Sequence, residues 1–429
     1  MDYRRITRFS SLGAAGLLLG LSGGSAAFAD VASFYKDKVM TIYIGVAAGG
    51  GYDAYSRTLA RHITRHIPGN PQMVAKNYTG AGGMRMLNGL YNVFPLDGTS
   101  IGMIGRNLVN EPLFGVKSAK YDSAKIKWLG SINSEHSMCT FWHTSGIKTT
   151  QDLLTKPAIA GGVGLGSTID VHTRLVNNLL GARIKLVTGY PGGADVNLAT
   201  ERGEVDGRCG WSWSSIQATG ADWLRDKKIS LTLQFSMTQH PDLKHIPLIR
   251  DMVKTELDRD ALDIHLAPQV FGRPVGMGPS VPRERYLALR KAFWATMHDP
   301  KFLADTKKRR LPVNPTSGED VAKLVKRVYA FPPDVIKHAK FIGTSSAKTR
   351  VAKAVVPIVT HTGVIAGVKR GGRRVAWKGG GKKGKLRVSG SKTKIFIAGK
   401  KGKRSALKAG MNCDFTVKGA QSAMKIACK

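Results

Sequence analysis

The sequence predicts an α/β fold followed by a small all-β domain, and three patterns support this prediction. From Val39 to Val46 an apolar, β-branched run indicates a buried strand, and a glycine turn then leads into residues with helical spacing. The same order returns after Ala158 to Ala160, where a glycine-rich turn precedes another helix. Beyond His338, short alternating runs separated by Gly and Lys are typical of a separate β domain.

The N-terminus has the layout of a secretory signal peptide. Arg4, Arg5 and Arg8 precede an apolar run from Leu12 to Leu21, and small residues then lead to Ala29. The apolar run is short for a bilayer and is followed by glycines, so secretion is favoured over a membrane anchor. We therefore expect residues 1–29 to be a signal peptide that is cleaved after Ala29.

The first α/β unit contains two successive strand–glycine loop–helix elements. Its first helix is marked by apolar residues at helical spacing, namely Tyr52, Tyr55, Leu59, Ile63 and Ile67. A second strand near Met73 to Ala75 runs into the glycine-rich segment 77–83 and another helix. Loops of this kind, at the carboxyl ends of strands, are where open sheets bind ligands.

A second α/β unit begins with the strand at 158–160, the turn from Gly161 to Thr168, and a helix. After Leu262 the sequence predicts a strand over His265 to Phe271. Two amphipathic helices follow, over Tyr286 to Met297 and Val321 to Val328, and we expect these to return to the first unit.

The charge of the chain is strongly positive and unevenly distributed. The 66 Lys and Arg residues against 29 Asp and Glu residues give a formal net charge of +37. Residues 344–429 contain 22 of the basic residues and one acidic residue, Asp414. Most of the excess positive charge therefore belongs to the C-terminal domain, and the rest of the chain is only moderately basic. This moderate charge is compatible with binding of anions, but it does not by itself indicate a nucleic-acid-binding protein.

The four cysteines are too few for a disulfide scaffold, and none are spaced as CxxC for zinc. Cys413 and Cys428 lie in the last two predicted strands, and in an exported protein we expect them to form a disulfide. Cys139 is interpreted either as a structural residue or as a partner for Cys209.

The segment Gly49-Gly50-Gly51-Tyr52-Asp53-Ala54 fits a loose dinucleotide-binding pattern between a strand and a helix. An NAD site needs an acid near the end of the next strand, where this chain has Lys76 and Asn77, so no nicotinamide cofactor is expected. Glycines without Cβ atoms still let backbone N–H groups converge on an anion at a helix N-terminus. The alternative is that Asp53 caps the helix and the glycines only permit a tight turn.

No catalytic or metal-binding set is predicted. His62 and His66 lie four residues apart, but Arg61 and Arg65 flank them and no Glu intervenes, so a solvated basic face is favoured over a metal site. Cys139 lies near His136 and His143, but proximity in sequence does not by itself build a catalytic dyad, so no thiol nucleophile is predicted.

Taken together, the motifs that precede the C-terminal domain resemble those of a known family, the extracytoplasmic solute-binding receptors of tripartite tricarboxylate transporters, also called Bug-type receptors. The resemblance covers roughly Phe34 to Lys340. The matching segments, in order, are Ala48–Asp53 with Arg57, Asn77 with Gly80–Gly83, Pro95–Gly98, Gly164–Ser167 with His172, Gly189–Gly193, and Gly203–Asp206.

The resemblance implies a two-lobed periplasmic binding protein (type II, Venus-flytrap) fold with the ligand in the cleft between the lobes. Lobe 1 would comprise residues 30–135 and 260–343, and lobe 2 residues 136–259. The basic Gly/Lys-rich β domain would occupy residues 345–429, outside the resemblance.

The resemblance also implies which residues bind the ligand. A carboxylate would be held by backbone amides of two lobe 1 loops and by donors from lobe 2 that close over it. The expected ligand-binding residues are Ala48, Gly49, Gly50, Gly51, Asp53, Thr79, Gly80, Ala81 and Gly82 in lobe 1, and Gly166, Ser167, Thr168, Tyr190 and Gly192 in lobe 2.

The function implied is a periplasmic receptor that captures a small organic acid, a di- or tricarboxylate or a related acid, and delivers it to the membrane permease subunits of a tripartite transporter. Neither enzyme activity nor a cofactor is expected. Two alternatives remain: a sensor of the same fold that feeds a signalling partner and, less favoured, a periplasmic enzyme. The C-terminal charge is interpreted either as a solvated surface or as a module that contacts an anionic envelope surface; nucleic acid is not expected.

Overall fold

The computed structural model describes residues 30–344, 349–354, 358–390, 393–418 and 422–429. These residues form two α/β lobes and a C-terminal domain built from β-strands, so the predicted fold class is confirmed. The predicted signal peptide, residues 1–29, lies outside the described residues. Within the described ranges, helices long and apolar enough to cross a bilayer are absent.

Lobe 1 is organised around a mixed six-stranded sheet with the order β11-β4-β10-β3-β1-β2. The strands β1, β2 and β3 pair in parallel, as expected for strand–loop–helix units, while β10 is antiparallel to β3 and β4. The strand bounds are β1 Val39–Ile44, β2 Gln72–Asn77, β3 Ser100–Met103, β4 Lys127–Ser131, β10 Pro274–Met277 and β11 Thr316–Ser317.

The helices of lobe 1 cover both faces of this sheet, because each turns an apolar stripe toward it. Tyr55 and Leu59 of α2 are fully buried with Ile42 of β1 in one core cluster. The helices are α1, over residues 30–35, α2 Gly51–His62, α3 Met84–Asn92, α11 Arg283–Met297, α12 Pro300–Lys308 and α13 Gly318–Tyr329. Residues Arg106–Asn110 form a short 3-10 helix after β3.

Lobe 2 has a second mixed six-stranded sheet, with the order β12-β7-β6-β8-β5-β9. A disulfide between Cys139 and Cys209 joins the neighbouring antiparallel strands β5 and β8. The strand bounds are β5 Ser137–Trp142, β6 Pro157–Gly161, β7 Arg183–Thr188, β8 Gly207–Ser212, β9 Ile229–Phe235 and β12 Val351–Lys353. The helices are α4 Thr150–Thr155, α5 Thr168–Leu180, α6 Gly193–Glu201, α7 Trp213–Thr219, α8 Ala221–Arg225, α9 Ile249–Met252, α10 Glu256–Leu266 and α14 Pro333–Thr344.

Two features of lobe 2 differ from the expectation. The predicted strand over His265 to Phe271 is wrong, because α10 extends to Leu266 and a 3-10 turn follows. Helix α14, expected in lobe 1, instead packs against α10 and α5, where Ala339 and Ile342 enter the lobe 2 core. The imidazole of His265 contacts the carbonyl of Ala339 and ties these two helices together.

The C-terminal domain is a seven-stranded sheet with the order β15-β14-β13-β18-β19-β16-β17. An additional pairing of β15 with β19 bends this sheet around a core that contains Trp377 and Phe415. A disulfide joins Cys413 and Cys428 on neighbouring strands. The bounds are β13 Ile358–Lys369, β14 Arg374–Gly379, β15 Lys382–Arg387, β16 Lys394–Ile397, β17 Lys400–Lys401, β18 Asn412–Lys418 and β19 Ser422–Cys428.

The segment that leads into this domain belongs structurally to lobe 2. Strand β12 forms one edge of the lobe 2 sheet and pairs in parallel with β7, and the Ala354 N–H donates to the carbonyl of Thr188. The boundary expected at residue 345 therefore falls several residues before the chain leaves the lobe 2 sheet.

Candidate functional site

A cavity of about 450 Å³ lies between the two lobes, and loops from both lobes line it. The lobes contact each other around it. The Ala47 N–H of lobe 1 donates to the carbonyl of Pro191 at 3.2 Å, and the Thr168 hydroxyl of lobe 2 donates to Asn107 Oδ1 at 2.8 Å. The volume is in the range of pockets that hold a small organic molecule.

The loop between β1 and α2 supplies one wall of the cavity through Gly49, Gly50 and Gly51. A Cβ atom at Gly51 would lie only 1.9 Å from Ser215 Oγ, so this position has no room for another residue. Helix α2 begins directly after Gly50, which turns the positive end of its dipole and its unpaired N–H groups toward the cavity.

Asp53 supports this loop and is not among the residues that line the cavity. Its carboxylate accepts hydrogen bonds from Arg57 Nε at 2.9 Å, Asn77 Nδ2 at 2.8 Å and the Gly49 N–H at 3.1 Å. Burial alone would raise the pKa of Asp53, but these hydrogen bonds outweigh it and hold the pKa below its ordinary value. The ionised carboxylate thereby fixes the glycine loop.

The second lobe 1 loop reaches the cavity through Gly82 and Gly83, whereas Thr79, Gly80 and Ala81 lie outside its lining, as does Ala48 of the first loop. Gly82 has a φ of 65°, which favours glycine. A Cβ atom there would lie 2.9 Å from the carbonyl oxygen of Leu165 in lobe 2. Gly82 thus allows the backbones of the two lobes to meet.

In lobe 2, Gly166, Ser167 and Thr168 line the cavity at the N-terminus of α5. Ser167 caps this helix by accepting from the Asp170 N–H, and the buried Asp170 carboxylate accepts from the N–H groups of Val163 and Gly164. A second helix N-terminus therefore faces the cavity, opposite that of α2.

Tyr190 and Gly192, also expected in the site, lie outside the cavity lining. The Tyr190 hydroxyl donates to Glu204. A Cβ atom on Gly192 would lie 2.9 Å from the backbone nitrogen of Ala47, so this glycine belongs to the contact between the lobes.

Three arginines that the sequence analysis did not single out, Arg106, Arg208 and Arg273, also line the cavity. Their exposed fractions are 1%, 5% and 1%. Arg273 is paired with the buried Glu135 at 2.9 Å and also donates to Ser215 at 2.8 Å. A charged residue within an apolar strand, such as Arg208 in β8, was the available signal, because a buried arginine needs a partner.

Arg106 and Arg208 are held by neutral groups. Arg106 donates to Ser137 Oγ at 2.6 Å and to Ser212 Oγ at 3.2 Å. Arg208 donates to the Gly193 carbonyl at 2.9 Å and to Asn197 Oδ1 at 3.2 Å. Burial, together with the charge of Arg106, lowers the pKa of Arg208 to about 9, which leaves it protonated at neutral pH.

Glu111 lies behind the lobe 2 loop, where a Cβ atom on Gly166 would be 2.7 Å from its carboxyl carbon. Burial raises the pKa of Glu111 to about 7, although the positive charge of Arg174 opposes this shift. Its Oε2 atom is buried and has no hydrogen-bond partner within the described residues.

The two lobes and the cavity between them give this chain the two-lobed fold of periplasmic binding proteins. No protein-family model matches the chain, and no curated protein sequence matches it.

Among solved structures, its neighbours are Bug- and TctC-type binding proteins. The periplasmic binding protein BugD is 17% identical with a TM-score of 0.58, covering 73% of this chain and 100% of its own. Rpa4515 of R. palustris with adipate is 18% identical with a TM-score of 0.56, over 70% of this chain and 97% of its own. MatC of Rhodopseudomonas palustris with bound malate is 14% identical with a TM-score of 0.56, covering 71% of this chain and 99% of its own.

Proposed function

We propose that this chain is an exported solute-binding receptor of the Bug type, which captures a small carboxylate in the cavity between its lobes. The observation that carries the proposal is the convergence of two helix N-termini, those of α2 and α5, on one cavity between glycine loops. Helix N-termini and free backbone N–H groups are suited to a carboxylate. The neighbours solved with adipate and malate support this ligand class.

Within this proposal the residues that line the cavity contact the ligand and the remaining expected residues shape the loops. Gly49, Gly50, Gly51 and Gly82 offer backbone donors from lobe 1, and Gly166 to Thr168 offer donors from lobe 2. The other expected residues, Ala48, Asp53, Thr79, Gly80, Ala81, Tyr190 and Gly192, act through the loop conformation and the contact between the lobes.

The cellular role proposed is delivery of the carboxylate to the membrane permease subunits of a tripartite tricarboxylate transporter. The same fold and cleft would also suit a sensor that feeds a signalling partner. Uptake of labelled ligand by cells that carry or lack the chain separates these roles, because a transport receptor is needed for uptake and a sensor is not. Export with cleavage after Ala29 is tested by mass spectrometry of the mature N-terminus.

We propose that the site binds the acid without converting it chemically. The neighbouring structures are binding proteins. Among the described residues, no group of three or more His, Cys, Asp or Glu side chains is placed to hold a metal ion. Incubation of the protein with each bound acid, followed by mass spectrometry of the acid, tests this point; conversion of the acid would favour an enzyme.

The binding proposal is tested by a thermal-shift screen of dicarboxylates, tricarboxylates, aromatic acids and amino acids, followed by calorimetry, because a ligand of the native state raises the melting temperature. The variant Gly50→Leu places a side chain in the glycine loop and should abolish binding. Gly367→Leu is the matched control, because nothing lies within 4 Å of the added Cβ there. Undiminished affinity in Gly50→Leu would contradict the assignment.

For the C-terminal domain we propose contact with a phosphate-bearing anionic surface of the envelope. Six exposed cations share the outer face of the β13–β14–β15 sheet, and we call them the basic face: Lys369, Arg374, Lys378, Lys383, Lys385 and Arg387. Arg374 lies directly opposite Arg387, and Lys378 opposite Lys383, an arrangement that is unfavourable in an isolated sheet. An anionic surface would relieve this repulsion.

Vesicle sedimentation tests the role of the basic face. Full-length protein should bind vesicles that contain anionic phospholipid at low salt, lose binding as salt rises, and ignore zwitterionic vesicles. The double variant Lys378→Glu/Lys383→Glu should reduce binding to anionic vesicles while carboxylate affinity stays unchanged. Equal retention of this variant and the wild type would contradict the proposal.

A further inference from the structure

The cavity between the lobes contains more buried positive charge than the described part of the chain neutralises. Of the three buried arginines that line it, only Arg273 has a carboxylate partner, Glu135, at ion-pair distance. Arg106 and Arg208 have no carboxylate at ion-pair distance within the described residues, although the charge of Glu135 also reaches Arg106, and the Nε atom of each arginine is buried without a hydrogen bond.

The acidic residues near the cavity do not change this balance. Among the described residues, Glu201 is the one carboxylate in the cavity lining, and this residue is exposed. Asp53 is paired with Arg57, and Asp170 is occupied by the loop that precedes α5. A buried cation without an anionic partner is costly, so the enclosed cavity favours a ligand that brings negative charge.

The two arginines without an ion pair come from different lobes. Arg106 follows β3 in lobe 1, and its guanidinium is anchored by serine hydroxyls and the Gly272 carbonyl. Arg208 lies in β8 of lobe 2. Its Nη1 is engaged by Gly193 and Asn197, while its Nη2 makes no hydrogen bond within the described residues and remains free for a ligand.

We infer that Arg106 and Arg208 set the charge requirement of the site, so that the preferred ligand carries two acidic groups and not one. One acidic group binds Arg208 directly through Nη2. The second lies toward lobe 1, where Arg106 and the N-terminus of α2 stabilise it. This inference rests on the proposed function, and it adds that both lobes contribute a charge to recognition.

The requirement is tested first on the wild-type protein with ligands that differ by one charge. Adipic acid and its monomethyl ester have nearly the same shape, but the ester has one carboxylate. By calorimetry at neutral pH and low salt, we expect the diacid to bind at least tenfold more tightly. The same comparison with succinic and glutaric acids and their monomethyl esters covers shorter ligands.

Variants then assign the preference to the arginines. In Arg208→Gln the diacid should lose at least tenfold in affinity, and the ratio of diacid to monoester affinity should fall toward one, because the carboxylate placed at Arg208 no longer meets a guanidinium. Arg208→Lys keeps the charge and should retain part of the preference. Arg183→Gln, an exposed arginine of lobe 2 outside the cavity lining, is the control with the same charge change.

Arg106 is less suited to removal, since its hydrogen bonds hold several strands together, so Arg106→Lys is the variant for that side and should also reduce the ratio. Equal affinity of wild-type protein for diacid and monoester would overturn the inference while leaving carboxylate binding intact. A preserved ratio in both Arg208→Gln and Arg106→Lys would also overturn it. Failure of wild-type protein to bind any acid in the screen would reject the proposed function itself.

Discussion

Replacement of Gly82 by alanine tests whether ligand binding requires the lobes to meet. In the structure the added Cβ would lie 2.9 Å from the Leu165 carbonyl oxygen and 3.1 Å from that of Gly164. Both oxygens belong to the backbone of lobe 2, which cannot move aside as a side chain can. The overlap therefore exists only when the lobes are in contact, and an open form would not contain it.

The expected size of the effect follows from two contributions. A φ of 65° costs a residue with a Cβ atom about 1 kcal/mol, and this cost is the same in the open and contacting forms. Overpacking typically costs about 1–3 kcal/mol and falls on the contacting form alone. If the ligand binds the contacting form, its affinity should fall by about 5- to 150-fold.

Calorimetry with the best carboxylate from the screen measures this loss. Gly115→Ala is the matched control, because Gly115 has the same φ of 65° and lies outside the cavity lining, while its added Cβ would approach only Lys340 Nζ, at 3.9 Å. Both variants should melt below the wild type, but only Gly82→Ala should bind more weakly. Wild-type affinity in Gly82→Ala, or an equal loss in Gly115→Ala, would refute the reasoning.

Three further predictions follow from the same structure. Burial raises the pKa of Glu111 to about 7, so the folded protein binds this proton more tightly than the unfolded chain does. The stability gained from protonated Glu111 is fully present below its ordinary pKa and is lost as the pH rises through 7. In urea titrations, the free energy of unfolding of Glu111→Gln relative to wild type should therefore increase by up to about 3 kcal/mol between pH 5 and pH 8. Replacement of Cys413 and Cys428 by serine should destabilise the C-terminal domain by about 3 kcal/mol in the chain-entropy model, seen as faster proteolysis of that domain with unchanged carboxylate affinity. Small-angle scattering should show a smaller radius of gyration with saturating ligand, and an unchanged radius would count against lobe closure.

The glycine loops could be predicted from the sequence because the pattern that indicates them is local. A glycine run between an apolar strand and a periodic helix indicates a loop whose backbone N–H groups face outward at a helix N-terminus, whatever the rest of the chain does. The structure has this arrangement at Gly49 to Gly51 and again before α5. Residues such as Tyr190 came from the family pattern alone, and the structure gives Tyr190 a place beside the cavity lining.

The positions of Arg106, Arg208 and helix α14 could not be predicted from a local signal of this kind. Arg106 and Arg208 are separated by about a hundred positions in sequence, and only the packing of two sheets brings them to one cavity. The apolar run from His265 to Phe271 has no decisive period, so it could not distinguish a strand from a helix end. Its state is decided by long-range packing of α10 against α14.

Strand β12 gives the C-terminal domain a mechanical relation to the cleft. It extends the edge of the lobe 2 sheet beside Thr188, whose hydroxyl donates to the same Asp170 that holds the Val163 and Gly164 amides. The C-terminal domain is therefore attached to lobe 2. Arg387 on its basic face nevertheless lies near enough to Arg57 and Asp53 of lobe 1 for their charges to act on its pKa, which burial lowers. A change in the angle between the lobes would thus alter the surroundings of Arg387 as well as the shape of the cleft.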